Sequence, residues 1–329
     1  MTKRKDSLHV RQDLSDLKFV YPEVERTTTQ PSRNHELTII QALKSVLRQM
    51  EASGLRQRTL DDYERHITHF AKVIEVSNLS EVTANHIYEW LSSMNVSNQT
   101  KLTRLKCLKA FLSRCFDHGW ITSNYWRNIR IKVDSPVKEG ATDREIGVLL
   151  SLLDLTKFVQ LRDAVAVLIM YQTGVRVGTL AQLREKHVDF ESQTLELDGG
   201  ILKNHQSIYL PFDGTLKKLL PVLLEQNKLI RKESKTNNDL LFITKNGQKV
   251  VTSPTNNNIT KRLARYSKDY DLNNISPHAL RRGFAKKLLD KGANVALISK
   301  ALGHSDIAVT TRYLHLDKRE VAESLRNYL

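Results

Sequence analysis

Between Arg162 and Gln172 the chain reads Arg-Asp-Ala-Val-Ala-Val-Leu-Ile-Met-Tyr-Gln, and apolar side chains fall on nearly every side of a helix drawn through it. A helix without a polar face belongs at the centre of a core, so the surrounding sequence must supply elements that wrap it. Gly174 suits a left-handed cap that stops this helix, and Arg176 stands just beyond the cap. Upstream, Thr142-Asp-Arg-Glu145 has the spacing of a capping box ahead of an apolar helix from Ile146 to Leu155. Downstream, a helix from Gly178 to Leu183 leads to Val188-Asp-Phe, and then Thr194-Leu-Glu-Leu-Asp and Ser207-Ile-Tyr-Leu-Pro-Phe alternate like the strands of a hairpin, with Lys203 at its tip. A helix over Leu216 to Lys232, a short strand over Leu240 to Thr244, a tight turn at Asn246-Gly247 and a helix over Pro254 to Ser267 complete the approach to the C-terminal third.

The first half of the chain is helical in pattern. Residues 1–34 have too few apolar positions for a core of their own and predict a flexible or accessory arm. Helices are expected over Leu37 to Ala52, Leu60 to Ile74 and Thr83 to Met94, and a fourth over Thr100 to His118 carries Leu105, Leu108, Leu112, Cys115 and Phe116 on one side. Lys101, Arg104, Lys106, Lys109 and Arg114 lie elsewhere around that helix. An isolated basic helix is usually just a solvated face, but here it belongs to a basic whole. From Trp126 to Gly140 periodicity lapses into a basic, extended stretch. The expected organisation is therefore an arm (1–34), a helical domain (35–127), a linker (128–141) and a second domain (142–329). Trp90, Trp120 and Trp126 are expected in packing. The fold class is mainly α with a small antiparallel β-sheet.

At 329 residues, with 51 Lys plus Arg against 36 Asp plus Glu and a formal net charge of +15, the chain is long enough for two cores and favours an anionic polymer or surface as partner. Cys107 and Cys115, eight apart in one expected helix, suit neither a disulfide nor a zinc site. That cysteine usage predicts a reducing, cytoplasmic location. The longest apolar run, Ala164 to Tyr171, is too short to span a bilayer, and the basic N-terminus lacks the apolar core of a signal peptide.

The chemistry is concentrated between Ser276 and Tyr313. His278 and Arg281 are three apart just after Ser276-Pro277, a good helix start, so both would project from one side of a first turn. His304 follows in Leu302-Gly-His, and Tyr313 ends Thr310-Thr-Arg-Tyr. Attack on a phosphodiester needs a nucleophile, donors for the non-bridging oxygens and an acid for the leaving oxygen. Arginine forks suit the second task better than lysine. Tyrosine, with an ordinary pKa of about 10, needs cationic and histidine neighbours to act near neutral pH.

Thr173-Gly-Val-Arg176, the hairpin-tip Lys203, His278-Ala-Leu-Arg281-Arg, Leu302-Gly-His304 and Tyr313 together resemble the tyrosine recombinase, or phage integrase, family. The order matches, as do the 23 residues from Arg281 to His304 and the nine from there to the tyrosine. The motifs span roughly residues 142–329, and the helical domain before them is similar in pattern to the family's SAM-like core-binding domain. The resemblance implies a two-domain C-shaped clamp on double-stranded DNA with a specific core site. It implies that Tyr313 is the nucleophile forming a 3'-phosphotyrosyl link, that Arg176 and Arg281 bind the scissile phosphate, and that Lys203 protonates the leaving 5' oxygen. It further implies that His278 assists proton movement at the tyrosine, that His304 hydrogen-bonds the phosphate, and that neither metal nor nucleotide cofactor is needed.

Lys101, Arg104, Lys106 and Lys109 on one helix, and Lys261, Arg262 and Arg265 on another, are the expected DNA contacts. Residues 314–329, with Val321, Leu325 and Leu329 at helical spacing, read as an amphipathic helix that packs on its own domain or, as the resemblance implies, docks on a neighbouring protomer in a tetramer on DNA. Integration, excision or dimer resolution for a phage or other mobile element is the implied setting, with a directionality factor as a further partner. Two places depart from the pattern. Thr179 stands where the family usually has a carboxylate three residues after the first arginine, and the Lys203 hairpin has few basic neighbours. The Thr179 departure favours an alternative, a DNA-binding transcriptional regulator that keeps the fold and has lost strand exchange. A type IB topoisomerase would share the chemistry without needing a specific site.

Overall fold

The computed structural model describes residues 37–134, 138–202, 205–252, 257–304 and 306–314, with the backbone alone at 312 and 313. The chain divides into two compact units, residues 1–135 and 136–329. The expected arm, the terminal helix after Leu314, Lys203 and the Tyr313 side chain lie outside the described residues.

The first unit is built from α1 (Ile39–Ala52), α2 (Gln57–Val73), α3 (Ala84–Ser92) and α4 (Asn98–Asp117). Helix α1 starts at a reciprocal cap in which Gln41 N–H donates to the Thr38 hydroxyl at 3.2 Å and the Gln41 side chain accepts from Thr38 N–H at 3.0 Å. One apolar stripe per helix meets in a single core around Phe70, Trp90, Leu108 and Phe111. Trp90 is buried whole because its indole N–H finds His69 Nδ1 at 2.8 Å. Helix α4 begins at Asn98, two residues earlier than its periodicity predicts, because the Ser97 hydroxyl accepts from Thr100 N–H. Its apolar side is centred on Phe111, and Phe116 is exposed. The two cysteines are free thiols, and burial pushes both up to about 12.

The expected linker is shorter than its composition suggests. Trp126 and Ile129 are buried in the first core, and the Trp126 indole donates to Ser113 Oγ at 3.2 Å. At the other end, Ala141 is buried in the second core. Basic composition masked the few apolar anchors at its ends.

The second unit is organised around α6 (Phe158–Thr173), where every residue from Leu161 to Tyr171 is buried. Helices α5 (Asp143–Leu152), α7 (Val177–Leu180), α8 (Gly214–Ser234), α9 (Asn258–Asp269), α10 (Pro277–Asp290), α11 (Val295–Leu302) and α12 (Ile307–Leu314) complete its helical set among the described residues, and α8 and α10 pack most extensively on α6. The Thr142 capping box forms as its spacing predicts, with Glu145 Oε2 accepting from Thr142 N–H at 2.8 Å. A three-stranded antiparallel sheet in the order β1 (Val188–Asp189), β2 (Thr194–Leu197) and β3 (Ile208–Pro211) adds one short strand to the expected hairpin. In its register Leu195 faces Leu210 on the buried side, while Glu196 faces Tyr209 on the exposed side.

Leu240–Thr244 makes isolated bridges, Arg184 to Leu240 and Ile243 to Lys249, in place of a strand. Helix α9 starts at Asn258, capped by the Asn257 side chain, with 253–256 outside the described residues.

One buried carboxylate and two arginines hold this unit together. Asp163, 1% exposed, accepts from Arg162 at 2.7 Å, from Arg262 at 2.7 Å and from the Tyr266 hydroxyl at 2.9 Å, so α6 is tied to α9 through a charge network. Arg162 also donates to the Ile243 carbonyl at 3.0 Å. Residues 139–141 are strapped along α10. Ala141 N–H donates to the Ala279 carbonyl at 2.9 Å and Arg282 Nε donates to the Glu139 carbonyl at 2.9 Å. The backbones approach so closely that a Cβ on Gly283 would fall 2.2 Å from the Ala141 carbonyl oxygen.

Candidate active site

Helix α6 ends at Gly174, whose φ of +66° is the left-handed cap the sequence predicts. Packing demands glycine there independently, since a Cβ would fall 2.4 Å from Phe284 Cδ1 on α10 and 2.9 Å from Leu302 Cδ2 on α11. Three helices therefore converge on one point, and the predicted cations meet there. Arg176 is the N-cap of α7. Ser276 caps α10 by accepting from Ala279 N–H at 3.2 Å, with Pro277 as first residue, which sets His278 and Arg281 on the first turn.

Arg281, 3% exposed, donates to the Gly174 carbonyl through Nη1 and to the Leu302 carbonyl through Nη2 at 2.6 Å. Arg176 Nη1 approaches the same Leu302 carbonyl at 3.5 Å. That oxygen is one of the last carbonyls of α11, left without an intrahelical partner and at the negative end of the helix dipole, so it attracts guanidinium groups. Gly303, at φ +60°, ends α11 and brings His304 round to Arg281, with 2.9 Å between His304 Nε2 and Arg281 Nη2.

A guanidinium can only donate, so His304 Nε2 accepts and the ring proton sits on Nδ1, which donates to Thr310 Oγ1 at 2.8 Å. Thr310 is fully buried on α12, three residues before Tyr313. Burial, then Arg281 and Arg176, push His304 down to about 4, which keeps it neutral at physiological pH. His278 is lowered by partial burial and then by Arg282, Arg281, Arg176 and Lys138, so this ring is also a neutral imidazole in a cationic field.

A small cavity of about 60 Å³ opens beside the arginines, with Arg176, Thr179, Leu202, Gln206, Arg281 and Lys300 among its lining residues and no carboxylate among them. Thr179 is 5% exposed and its hydroxyl donates to the Ile201 carbonyl at 3.3 Å. No cluster of His, Cys, Asp and Glu able to hold a metal ion occurs among the described residues.

Arg176, His278, Arg281 and His304 are thus brought together as their spacing predicts. The Leu302 and Gly174 carbonyls that hold Arg281 were not foreseen, because main-chain acceptors leave no mark in a motif. Thr310 was, in retrospect, visible as a polar residue one turn from the tyrosine.

The expected DNA contacts fare unequally. Lys106 and Lys261 are exposed. Lys101 is half-buried, and Lys109 is half-buried and donates to the Arg127 carbonyl at 3.0 Å. Arg104 is half-buried, with Nη1 3.5 Å from Met94 Sδ. Arg265 pairs with Asp269 on the surface at 3.1 Å. Arg262 is engaged within the protein as well: it is held by Asp163 and stacks over the Tyr266 ring at 4.9 Å, with its side chain 28% exposed.

The sequence profile of the phage integrase family matches residues 143–320, and that of the phage integrase SAM-like domain matches residues 38–132. The tyrosine recombinase XerC of Natranaerobius thermophilus is 26% identical over 313 residues, covering 90% of this chain and 98% of its own. The tyrosine recombinase XerD of Chlamydia pneumoniae is 25% identical over 298 residues, covering 88% and 94%. Among solved structures, the Tn1549 transposon integrase in complex with a circular intermediate DNA aligns with a TM-score of 0.73 at 19% identity, over 88% of this chain and 99% of that one. A lambda integrase dimer bound to a COC' core site aligns at 0.66 and 18% identity, over 86% and 78%.

Proposed function

The chain belongs to the phage integrase family of tyrosine recombinases, and from that premise we propose that it cuts and rejoins double-stranded DNA at a specific core site through a 3'-phosphotyrosyl intermediate. The observation that carries the proposal is the meeting of Arg281, Arg176 and His304 around the Leu302 carbonyl, where fixed donors are organised before any substrate arrives.

In this reading Tyr313 attacks the scissile phosphorus, forming an Oη–P bond as the bond to the 5' oxygen breaks. Arg176 and Arg281 neutralise the non-bridging oxygens. His304, neutral and already beside Arg281, turns its ring toward the phosphate once DNA displaces that contact. His278, kept neutral by partial burial and by the cations around it, takes the tyrosine proton, and Lys203 gives one to the leaving oxygen. The phosphotyrosine conserves the bond for rejoining, so no external energy source is needed.

The relatives' names and the DNA-bound solved structures support a DNA core site as substrate. A tetramer on two sites, a directionality factor and a mobile-element setting follow from the same reading. The test is a nicked suicide duplex carrying the core site, identified by selecting and sequencing the DNA that the protein binds. A protein–DNA adduct is expected, abolished in Tyr313→Phe while binding persists. Tight binding with no adduct would overturn the proposal and favour the regulator reading, for which the missing carboxylate at Thr179 is the supporting feature.

A further inference from the structure

We infer that Thr310 is a positioning residue for His304, its hydroxyl holding Nδ1 of the imidazole whichever ring nitrogen carries the proton. The inference rests on the reading of His304 as a hydrogen-bond donor to the scissile phosphate.

His304 is held from three directions. Its backbone N–H donates to the Ser299 carbonyl at 3.0 Å, just past the left-handed Gly303. Nε2 lies 2.9 Å from Arg281 Nη2, and Nδ1 lies 2.8 Å from Thr310 Oγ1. Thr310 is itself well anchored. It is fully buried on α12, which begins where Ala308 N–H donates to Asp306 Oδ1 at 2.8 Å and ends in a core cluster at Leu314. That helix packs on both α10, which carries Arg281, and α11, which leads into His304. The backbone therefore sets where the hydroxyl meets the ring, and only hydrogens are left to rearrange.

Two states make opposite demands on that ring. Facing a guanidinium, Nε2 must accept, so the proton is on Nδ1 and Thr310 Oγ1 accepts it. Facing a phosphate oxygen, which has no proton to give, Nε2 must donate. A neutral imidazole can do so only with Nδ1 bare, and Nδ1 then needs a donor. A hydroxyl meets both demands by turning its O–H. A carboxylate at 310 could only accept and would hold the first tautomer, and an apolar side chain could serve neither.

The other route to a donating Nε2 is a second proton on the ring. Burial, then Arg281 and Arg176, oppose that cation, and the cavity beside the two arginines has no carboxylate in its lining to relieve them. One phosphodiester charge arriving between two guanidinium groups still leaves the surroundings cationic. The proton balance is therefore neutral: water gives a proton to Nε2, Nδ1 returns one to water, and the ring begins and ends uncharged.

The bland account is that Thr310 merely packs α12 and satisfies a ring nitrogen. The two accounts separate on the tautomer and on whether Thr310 acts through His304. Heteronuclear NMR of histidine-labelled protein reads the tautomer, with His304→Gln identifying the signals. In free wild-type protein the proton is expected on Nδ1. In Tyr313→Phe protein bound to its uncleaved core-site duplex it should be on Nε2 alone. The same tautomer in both states, or protons on both nitrogens in the complex, overturns the inference.

Single-turnover adduct formation on the nicked duplex supplies the second readout. Thr310→Val is expected to slow it roughly ten- to hundredfold at unchanged DNA affinity, and Thr310→Ser to recover most of the rate. Added to His304→Gln, Thr310→Val should slow the reaction no further. Equal slowing with and without His304, or no slowing in either background, marks a packing role and overturns the inference. If wild-type protein binds the duplex and forms no adduct, the recombinase proposal fails, and the tautomer on bound DNA still decides the role of Thr310.

Discussion

Replacing Asp163 by asparagine changes one charge and almost no volume, and the structure gives the size of the effect. The carboxylate is 1% exposed and accepts from Arg162, Arg262 and Tyr266. In Asp163→Asn the Arg162 guanidinium, itself 5% exposed, keeps the Ile243 carbonyl and at most one neutral amide oxygen, and loses its counter-charge. Breaking one side of a buried pair in this way costs about 3–5 kcal/mol. Arg262 is a milder case, because its side chain is 28% exposed and its removal leaves the Arg162–Asp163 pair intact. Arg262→Ala should therefore cost about 1–2 kcal/mol, the worth of charge-assisted hydrogen bonds rather than of an orphaned charge.

Urea unfolding at neutral pH gives both values, and the order Asp163→Asn above Arg262→Ala is the structural signature. A second reading uses DNA. Each phosphate contact removed should lower the slope of log K against log salt by about 1, so Lys261→Ala is the comparison and Arg262→Ala should leave the slope unchanged. If Arg262→Ala reduces that slope by about 1 while its unfolding midpoint stays at the wild-type value, Arg262 faces the phosphates and the assignment to the interior is wrong.

Gly174→Ala combines a left-handed φ with a Cβ 2.4 Å from Phe284 Cδ1, and its stability should drop by about 2–4 kcal/mol, checked by urea midpoint. A loss under 1 kcal/mol would mean that α10 and α11 can retreat freely. The pH dependence of stability has a worked sign. His304 is held down to about 4 by burial and by Arg281 and Arg176, so the unfolded chain takes a proton near its ordinary value of about 6.5 that the folded chain refuses until about 4. Its contribution is complete above about 6.5 and declines as pH falls toward 4. The decline should be shallower in DNA-free His304→Gln, and identical pH profiles would refute the reasoning.

Much of this was legible because it is periodic or local. The unbroken apolar character of α6, the Thr142 box, the Gly174 stop and the Ser276-Pro277 start each depend on neighbours in sequence, and each forms as its spacing predicts. The site cations were legible by order and spacing. What escaped was long-range. Nothing near Arg262 marks it as the partner of Asp163, ninety-nine residues earlier. The stretch from Trp126 to Gly140 looked uniformly extended because three or four apolar anchors are too few to make a period. The Leu240 segment has strand composition, but strands need partners of matching length, and only isolated bridges form there. The target of Thr179 is a carbonyl, which every residue carries and no sequence advertises.

That anonymity of the main chain has a consequence for how such a protein can drift. Arg281 is anchored by oxygens of residues 174 and 302, and no substitution at 302 can delete an oxygen that belongs to the peptide bond. Changes of side chain there alter bulk and fit, but the acceptor is inherited regardless. The exposed flank lies elsewhere, in the count of residues. Adding or removing one residue in the last turn of α6 or α11 would swing the terminal carbonyls through about 100° about the helix axis and leave the guanidinium facing nothing. A lineage carrying this chain should therefore tolerate many replacements around the arginine and almost no change in the length of the two helices that end beneath it.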